Sequence, residues 1–456
     1  MTFLQKIERW LLLIFVFAIP FQTRFVVASW TPRFNEWTSA FIWGTDILFI
    51  ILLAVFVVQK HEPLKKLDFF EYLVLALIVL AGLSIIRSQE ISVAVYRWIK
   101  LAEYACVFFY FKRRIVHVVS HHALAVVWIG SSVFQSLVGL LQYYLQHSIG
   151  LKILGESVLR VNGSGVAVVV ANSQLYLRAY GTTPHPNVLA VVLMIGLWCT
   201  LWIYLDSDRY WSRHIIAAYA VILTAFLLTF SRVAIGVWTL SSLTMLIVLI
   251  RRGSWRRIMP IVLTTIIVIG LCATAWWPQF SSRLNVSSQD EGIVQRIFYT
   301  EVAGKVAREH MLLGIGIGQF VPHFMDTLKN YPSSIYQPVH NLYLLVLDEL
   351  GLAGLIIFLV FLALILLRLW RSNTYLFICF IALLVLGLFD HFFWTLQQGG
   401  LVFWAFLGMA LVEHPETRIG AFVEHVDDKV SVMANAKPPS ARSSRLEPDI
   451  EYLETA

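Results

Sequence analysis

The residues that could do chemistry stand in four short polar groups, each beside a long apolar run. They are Arg178, His185 and Asn187 in RAYGTTPHPNVLA; Ser231 and Arg232 in LTFSRVAIG; His340, Asn341 and Glu349 in PVHNLYLLVLDELGLAGL; and Asp390 and His391 in LFDHFFWTLQQGG. Ionisable residues within or beside such runs are energetically costly, and they often mark functional sites. We therefore take these groups as the candidate site.

Arginine and histidine together suit one type of reaction. An arginine fork matches two phosphate oxygens and stays charged at any accessible pH. A histidine near its ordinary pKa accepts a proton from an alcohol. The combination predicts transfer of a group from a polyprenyl pyrophosphate to a hydroxyl. Arg178 and Arg232 would hold the departing pyrophosphate, His340 would activate the hydroxyl, and Asn341 would orient the imidazole or bind a sugar hydroxyl.

Each group also has a structural interpretation. The two arginines could reach from helix ends to the lipid headgroups, and His340 could bond to a backbone carbonyl. His185 precedes a proline at a helix start, where a structural role is favoured. Asp390 and His391 could form an interhelical polar pair that supports packing, which is also the favoured interpretation.

Motifs for nucleotides, metals and nucleic acids are missing from the sequence. The glycine-rich LLGIGIGQF lacks the GxGxxG spacing, so Gly314, Gly316 and Gly318 predict a close-packed turn. There is no Walker A sequence and no HExxH, so we expect neither a metal nor a cofactor. The basic residues lie in short clusters between apolar runs, which argues against nucleic-acid binding.

The elements that position these residues must lie in a membrane. The chain has 456 residues, of which 58% are hydrophobic and only 14% are charged. Soluble domains are roughly 25% charged, and a chain this apolar cannot cover a water-facing surface. The composition predicts an all-α integral membrane protein with one polytopic domain over residues 1–413.

About twelve apolar runs have the roughly 20 residues that a spanning helix needs. They lie near residues 8–27, 38–58, 69–86, 92–111, 122–146, 185–205, 214–231, 233–250, 258–277, 340–369, 374–391 and 397–413. The run 92–111 is the weakest, because it contains Arg97 and Lys100. Residues 414–456 are polar and predict a disordered cytoplasmic tail.

The basic residues predict the orientation. With the N-terminus in the cytoplasm, the inner loops hold roughly 16 lysines and arginines and the short outer loops about 7. Both termini are then cytoplasmic, and all four polar groups lie at the outer face. Residues 147–184 are also outside and include VNGSGVAVVV, which predicts a hairpin or an interfacial segment. Residues 278–339 form a large outer loop between spans 9 and 10, with a helix near 292–310.

Together the motifs resemble the O-antigen ligase family, whose superfamily includes O-antigen polymerases and O-oligosaccharyltransferases. The matching pieces are RAYGTTPHPN, LTFSRVA, QRIFYTEVAGKVAREHMLLGIGIGQF, HNLYLLVLDELGLAGL and DHFFWTLQQGG. They cover about 160–410, and as a set they are specific. The resemblance implies a GT-C-like fold in a bacterial inner membrane.

The resemblance also implies a metal-independent enzyme that takes glycan from undecaprenyl pyrophosphate. It suggests that Arg178, Arg232 and Arg296 contact the diphosphate and that His340 acts at the acceptor hydroxyl. The supporting positions are His185, Asn187, Asn341, Asp390 and His391. Three acceptors stay open, namely a lipid, a growing glycan and a protein. From another class of protein, a transporter or flippase is the alternative.

Overall fold

The computed structural model describes residues 2–31, 34–59, 66–206, 212–284, 291–329 and 331–412. The predicted tail at 414–456 lies outside these residues. The described part of the chain is mostly helical, as an all-α membrane protein requires.

Helices occupy each of the twelve positions where a span is predicted. In the described residues the helices are α1 Phe3–Ala18, α2 Gly44–Val58, α3 Phe69–Ser84, α4 Ile91–Arg113, α5 Ile115–Val118, α6 His121–Leu145, α7 Pro186–Asp206, α8 Ser212–Leu227, α9 Arg232–Arg251, α10 Trp255–Ala275, α11 Trp277–Leu284, α12 Glu291–Glu309, α13 Phe320–Thr327, α14 Leu342–Ser372, α15 Thr374–Gly387, α16 Phe392–Thr395 and α17 Gln397–Ala410. Four short 3-10 helices cover Glu36–Thr38, Ile85–Arg87, Lys152–Leu154 and Ser333–Ile335 in the same residues.

The helices build a multi-pass membrane protein. Six of those described are long and apolar enough to cross a bilayer, namely Phe69–Arg87, α6, α7, α9, α10 and α14, and shorter apolar helices lie at Gly44–Val58, Arg213–Leu227 and Thr374–Gly387. The most buried span is α7, which packs against α6 and α8. On the other side of the bundle α4 packs closely against α17, so the charged run at 92–111 is a helix of the protein interior.

Two small hairpins depart from the all-α prediction. Strand β1 (Arg24–Ser29) pairs antiparallel with β2 (Ser39–Trp43), and β3 (Val168–Ala171) pairs antiparallel with β4 (Gln174–Leu177). The predicted span 8–27 is therefore wrong in its second half, because α1 ends at Ala18. The predicted span 38–58 likewise begins as a strand. The stretch VNGSGVAVVV, for which a hairpin or an interfacial segment is predicted, supplies only the first three residues of β3, and β4 lies beyond it.

A buried ion-pair cluster joins the first four helices at one end of the bundle. The Glu8 carboxylate accepts hydrogen bonds from Arg114 (2.8 and 2.9 Å), from Tyr110 Oη (2.9 Å) and from Gln59 Nε2 (2.8 Å). Beside it, Glu71 at the start of α3 pairs with Arg113. The start of α1 and of α3 thus meets the end of α2 and of α4, so these four helices alternate in direction.

Helix α14 is broken at Gly351, whose backbone has φ 68° and ψ −171°. The break frees backbone groups that cannot stay unpaired in an apolar interior. Residues 311–316, which lead into and begin the glycine-rich turn, pair with them. Ile315 N donates to the Asp348 carbonyl (2.9 Å), and Leu352 N donates to the Met311 carbonyl (2.7 Å). The close-packed turn predicted for the three glycines is confirmed, since all three have positive φ.

The segment between α10 and α14 carries its own small core. The helix predicted at 292–310 is confirmed as α12. Tyr299, Ala303 and Val306 are buried, whereas Ile297 is exposed. Tyr299 packs with Phe324 of α13 in a cluster that also reaches the start of α14. This packing holds α12 against the end of the bundle where α14 begins.

Candidate active site

The tight turn between α8 and α9 contacts the segment that carries Arg178 and leads directly into Arg232. Arg178 Nε donates to the Thr229 carbonyl (2.6 Å), and Ala179 N donates to the Leu228 carbonyl (3.0 Å). Phe230 adopts φ 47°, a left-handed conformation that is uncommon for a bulky residue. The turn is held in this shape by the segment that carries Arg178, and α9 begins directly after it at Arg232.

Arg178 belongs to a cluster of four arginines. Its side chain is buried, and burial together with the neighbouring cations Arg283, Arg232 and Arg296 lowers its pKa to about 9. Neither Arg178 nor Arg296 forms an ion pair with a carboxylate among the described residues. Buried positive charges of this kind need a counter-charge. The cluster therefore has the properties of an anion site.

A chain of hydrogen bonds connects the arginine cluster to the late Asp390–His391 group. Arg178 Nη2 donates to Asn187 Oδ1 (3.0 Å), and Asn187 Nδ2 donates to Asp390 Oδ2 (3.2 Å). The other carboxylate oxygen of Asp390 accepts from His391 N (2.9 Å). Asn187 thus lies between a guanidinium and a carboxylate, which fixes both ends of its amide. Segments more than 200 residues apart meet here.

His340 lies in an aromatic pocket beside this chain. Its ring stacks on Tyr299 (centroids 5.5 Å apart) and meets the edge of His391 (5.1 Å). It precedes α14, and burial lowers its pKa below the ordinary value. Its Nδ1 is buried and forms no hydrogen bond of normal geometry with the described residues, while the nearby Pro338 carbonyl partly offsets the effect of burial on its pKa. A neutral imidazole with an unused ring nitrogen is suited to accept a proton.

Two of the predicted supporting residues cap helices. His185 Nδ1 accepts from Asn187 N (3.1 Å) at the start of α7, in line with the structural role favoured for it. Asn341 Oδ1 accepts from Tyr343 N and Leu344 N (both 3.0 Å) at the start of α14. Such caps stabilise a helix by about 1 kcal/mol. The cap on α14 also fixes the backbone next to His340.

Three residues of the site were not among the predicted ones. Arg283 lies in α11, and among the neighbouring arginines it lowers the pKa of Arg178 the most. Tyr299 stacks on His340, and Thr395 Oγ1 lies 2.6 Å from His391 Nδ1. The only sequence signal for Arg283 is an arginine within the predicted outer loop. The hydrophobic pattern of α12 would have indicated Tyr299 only if the buried face of this helix had been predicted correctly.

Glu349 has the bundle partner that its position in α14 predicts. Its carboxylate accepts from Trp394 Nε1 (2.9 Å), next to the Asp390–His391 group. Among the described residues, no group of three or more histidines, cysteines or carboxylates is placed to hold a metal ion.

A comparison with known protein families finds a match for part of the chain. Residues 216–359 match the family model described as O-antigen ligase. This part of the chain is similar to the O-antigen ligase family. This range includes Arg232, Arg283, Arg296 and His340, and the resemblance expected from the motifs is confirmed there. A comparison with curated proteins found no match.

The match at residues 216–359 indicates an O-antigen ligase-like or polymerase-like function. It suggests a glycosyltransferase-like enzyme that handles glycan and lipid substrates in a bilayer. Arg178, Asp390 and His391 lie outside the matched range, yet they contact or adjoin residues within it.

Proposed function

We propose that the protein transfers a glycan from undecaprenyl pyrophosphate to an acceptor hydroxyl at the outer face of a bacterial inner membrane, with both termini in the cytoplasm. One observation carries the proposal. Arg283, Arg232 and Arg296 lie near enough to the buried Arg178 to lower its pKa, and neither Arg178 nor Arg296 forms an ion pair with a described carboxylate. Arg178 also connects through Asn187 and Asp390 to His391.

The arginines match the leaving group. A polyprenyl pyrophosphate carries several anionic oxygens, and planar guanidinium forks bind such oxygens bidentately. In a buried site this interaction is stronger than in water. Arg178, Arg232, Arg283 and Arg296 would bind the diphosphate and stabilise the charge that develops on it as the glycosyl bond breaks. Arg283 joins the three arginines that the family resemblance suggests.

His340 would act at the acceptor. In the transfer step the bond between the sugar C1 and the pyrophosphate oxygen breaks, and a bond from C1 to the acceptor oxygen forms. The bonding electrons leave with undecaprenyl pyrophosphate, and the hydroxyl proton passes to the imidazole of His340. Stacking on Tyr299 and contact with His391 keep the imidazole in one orientation, which reduces the entropy lost in reaching the transition state.

The first prediction concerns His340 itself. A general base contributes about 10²–10⁴-fold to a rate, so His340→Ala should lower turnover by that order. Binding of the lipid-linked donor should change little, because the arginines remain. The assay uses purified protein in detergent with undecaprenyl-pyrophosphate glycan and candidate acceptors, namely a lipid, a glycan and a peptide. Analysis of the products also separates ligation from polymerisation and from protein glycosylation.

The matched control is His147→Ala, which removes an exposed histidine outside the site. It should retain wild-type turnover. If His340→Ala also transfers glycan at nearly the wild-type rate, the base role is wrong, and His391 with Asp390 becomes the next group to test.

A further inference from the structure

A second polar cleft lies between the end of α3, the glycine-rich turn and α13. Its volume is about 350 Å³, and it is lined by Arg87, Gln89, His310, Ile315, Gln319 and His323. None of these residues belongs to the arginine cluster or contacts His340 in the ring stack. Arg87 and Gln89 are exposed, and His310 and His323 are half-buried, so the cleft opens to the surface.

The cleft presents hydrogen-bond donors that the protein itself does not use. Arg87 Nε donates to the Gly314 carbonyl (3.2 Å), while its two Nη atoms make no hydrogen bond or ion pair with the described residues. The rings of His310 and His323 lie 5.9 Å apart at 85°, and neither imidazole hydrogen-bonds to a described residue. By contrast, the Gln319 side chain is fully used, because it bonds both to N and to O of Glu90.

These donors favour an anion with several oxygens. A fixed guanidinium with two open Nη groups matches phosphate geometry. His310, which directly follows α12, and His323 in α13 add two further ring N–H groups. Gln89 at the rim supplies an amide. A carboxylate offers two oxygens and a phosphate more, so a phosphate uses this set more completely.

Exposed apolar residues beside the cleft indicate which class of phosphate compound it would bind. Ile86, which precedes Arg87, is 85% exposed, and Leu312, which follows His310 by two residues, is 68% exposed. Leu83, Met311 and Leu313 are exposed as well. On a membrane protein, exposed apolar side chains face lipid, and cations beside them lie at the headgroup level. A ligand here would have a phosphate next to a hydrocarbon chain.

We propose that this cleft binds the anionic phosphate headgroup of a membrane lipid, with its hydrocarbon chain over Leu83, Ile86 and Leu312. The cleft is connected by hydrogen bonds to the break in α14. Arg87 bonds to Gly314, and Gly316 N of the same turn donates to the Glu349 carbonyl (2.9 Å). A bound lipid would therefore stabilise the glycine-rich turn, which forms hydrogen bonds with the broken part of α14.

Lipid titration followed by native mass spectrometry tests the proposal. Full-length protein in neutral detergent is titrated with dioleoyl phosphatidylglycerol and, separately, with phosphatidylcholine. The first phosphatidylglycerol should bind at least about tenfold more tightly than phosphatidylcholine. His323→Gln combined with Arg87→Gln should remove most of that preference, since a charge-assisted hydrogen bond contributes enough for roughly a tenfold change in affinity. Arg160→Gln, an exposed arginine outside the cleft, should leave it unchanged.

A second variant separates a lipid from a free phosphate. Ile86→Asn keeps every polar group of the cleft and alters only an exposed side chain, so folding should be preserved. It should weaken phosphatidylglycerol binding while leaving competition by inorganic phosphate as it is. Equal affinity for the two lipids, or full retention of the preference in the Arg87 and His323 double variant, would overturn the proposal. Tight binding of inorganic phosphate with no dependence on Ile86 would overturn the assignment to a lipid.

Discussion

The proton affinity of His340 sets the pH range in which it can act. Burial lowers its pKa below the ordinary value of about 6.5. A histidine with a lowered pKa is protonated only at more acidic pH, so the neutral base is present throughout the neutral range. We expect the transfer rate to fall on the acid side with a midpoint below about 6.5.

Initial rates over about pH 4.5–8 measure this midpoint. Protein held at each pH and then assayed at neutral pH serves as the control, because it separates loss of the base from unfolding. An acid limb with its midpoint clearly above the ordinary histidine value would mean that another group is the base.

At the arginine cluster the shape of the cation matters as well as its charge. Lysine offers a point charge without the planar fork. Arg232→Lys should therefore lose nearly as much activity as Arg232→Ala, with each lost charge-assisted hydrogen bond costing about 1.5–3 kcal/mol. Arg283→Lys should also lose nearly as much activity as Arg283→Ala, since Arg283 lowers the pKa of the buried Arg178 guanidinium.

Turnover and donor affinity of these variants are compared at equal expression. Arg160→Lys, a change at an exposed arginine of the loop before β3, is the matched control. Wild-type activity in Arg232→Lys would leave this arginine only the role of anchoring the start of α9.

Residue types alone indicated most of the groups that meet at the site. Arginines, histidines and an aspartate are conspicuous in an apolar sequence, and the structure brings Arg178, His340 and Asp390 together through Asn187 and His391. Tyr299 could not be found this way, because a tyrosine in a loop helix is ordinary. Its stacking on His340 depends on which face α12 buries, and that face is decided by tertiary packing.

Among the elements, the broken helix α14 depends on one glycine. The φ of 68° with ψ of −171° at Gly351 is a conformation that only glycine adopts readily, at a cost of about 1–3 kcal/mol for other residues. A Cβ there would also lie 2.4 Å from the Leu312 carbonyl oxygen. Gly351→Ala should therefore destabilise the protein by at least about 1 kcal/mol and displace the glycine-rich turn.

Thermal unfolding in detergent measures the loss of stability in Gly351→Ala, and transfer activity should fall with it because His340 directly precedes α14. Gly270→Ala is the control, since a Cβ at this helical glycine meets nothing within 4 Å. It should be neutral or slightly stabilising. Equal stability of the two variants would mean that the break at Gly351 tolerates a side chain.

Hydropathy predicted where helices lie but not how each one ends. The run 8–27 reads as one span, yet its last four residues, RFVV, begin the strand β1, which pairs with β2. Apolar length does not distinguish a strand from a helix. The run 340–369 likewise conceals the break at Gly351, because the freed backbone groups pair with residues 311–316. Local sequence carries no sign of that distant partner.

At the scale of the whole molecule, the site depends on every span running in the right direction. Residues from Arg178 to His391 can meet only if the helices between them return each segment to the same end of the bundle. The buried ion-pair cluster around Glu8 and Glu71 shows directly that α1 to α4 alternate in direction. The basic residues predict the same pattern, because Lys66, Arg113 and Arg114 all fall in inner loops. The hydrogen bond from Arg113 to the Lys66 carbonyl (3.2 Å) agrees with it.

Which end faces the cytoplasm decides whether the proposed chemistry is feasible. The positive-inside rule places Lys66 inside and the segment between α10 and α14 outside. In a variant whose four native cysteines are replaced by alanine, Ser334→Cys should react with an impermeant thiol reagent in intact spheroplasts, while Lys66→Cys should react only after lysis. Both side chains are exposed in the fold, so a missing reaction reflects the membrane and not burial. Labelling after lysis is the control for each. The reverse pattern would put the arginine cluster and His340 in the cytoplasm and would remove the basis for transfer at the outer face, because the donor glycan and the acceptor would then lie across the bilayer from the site.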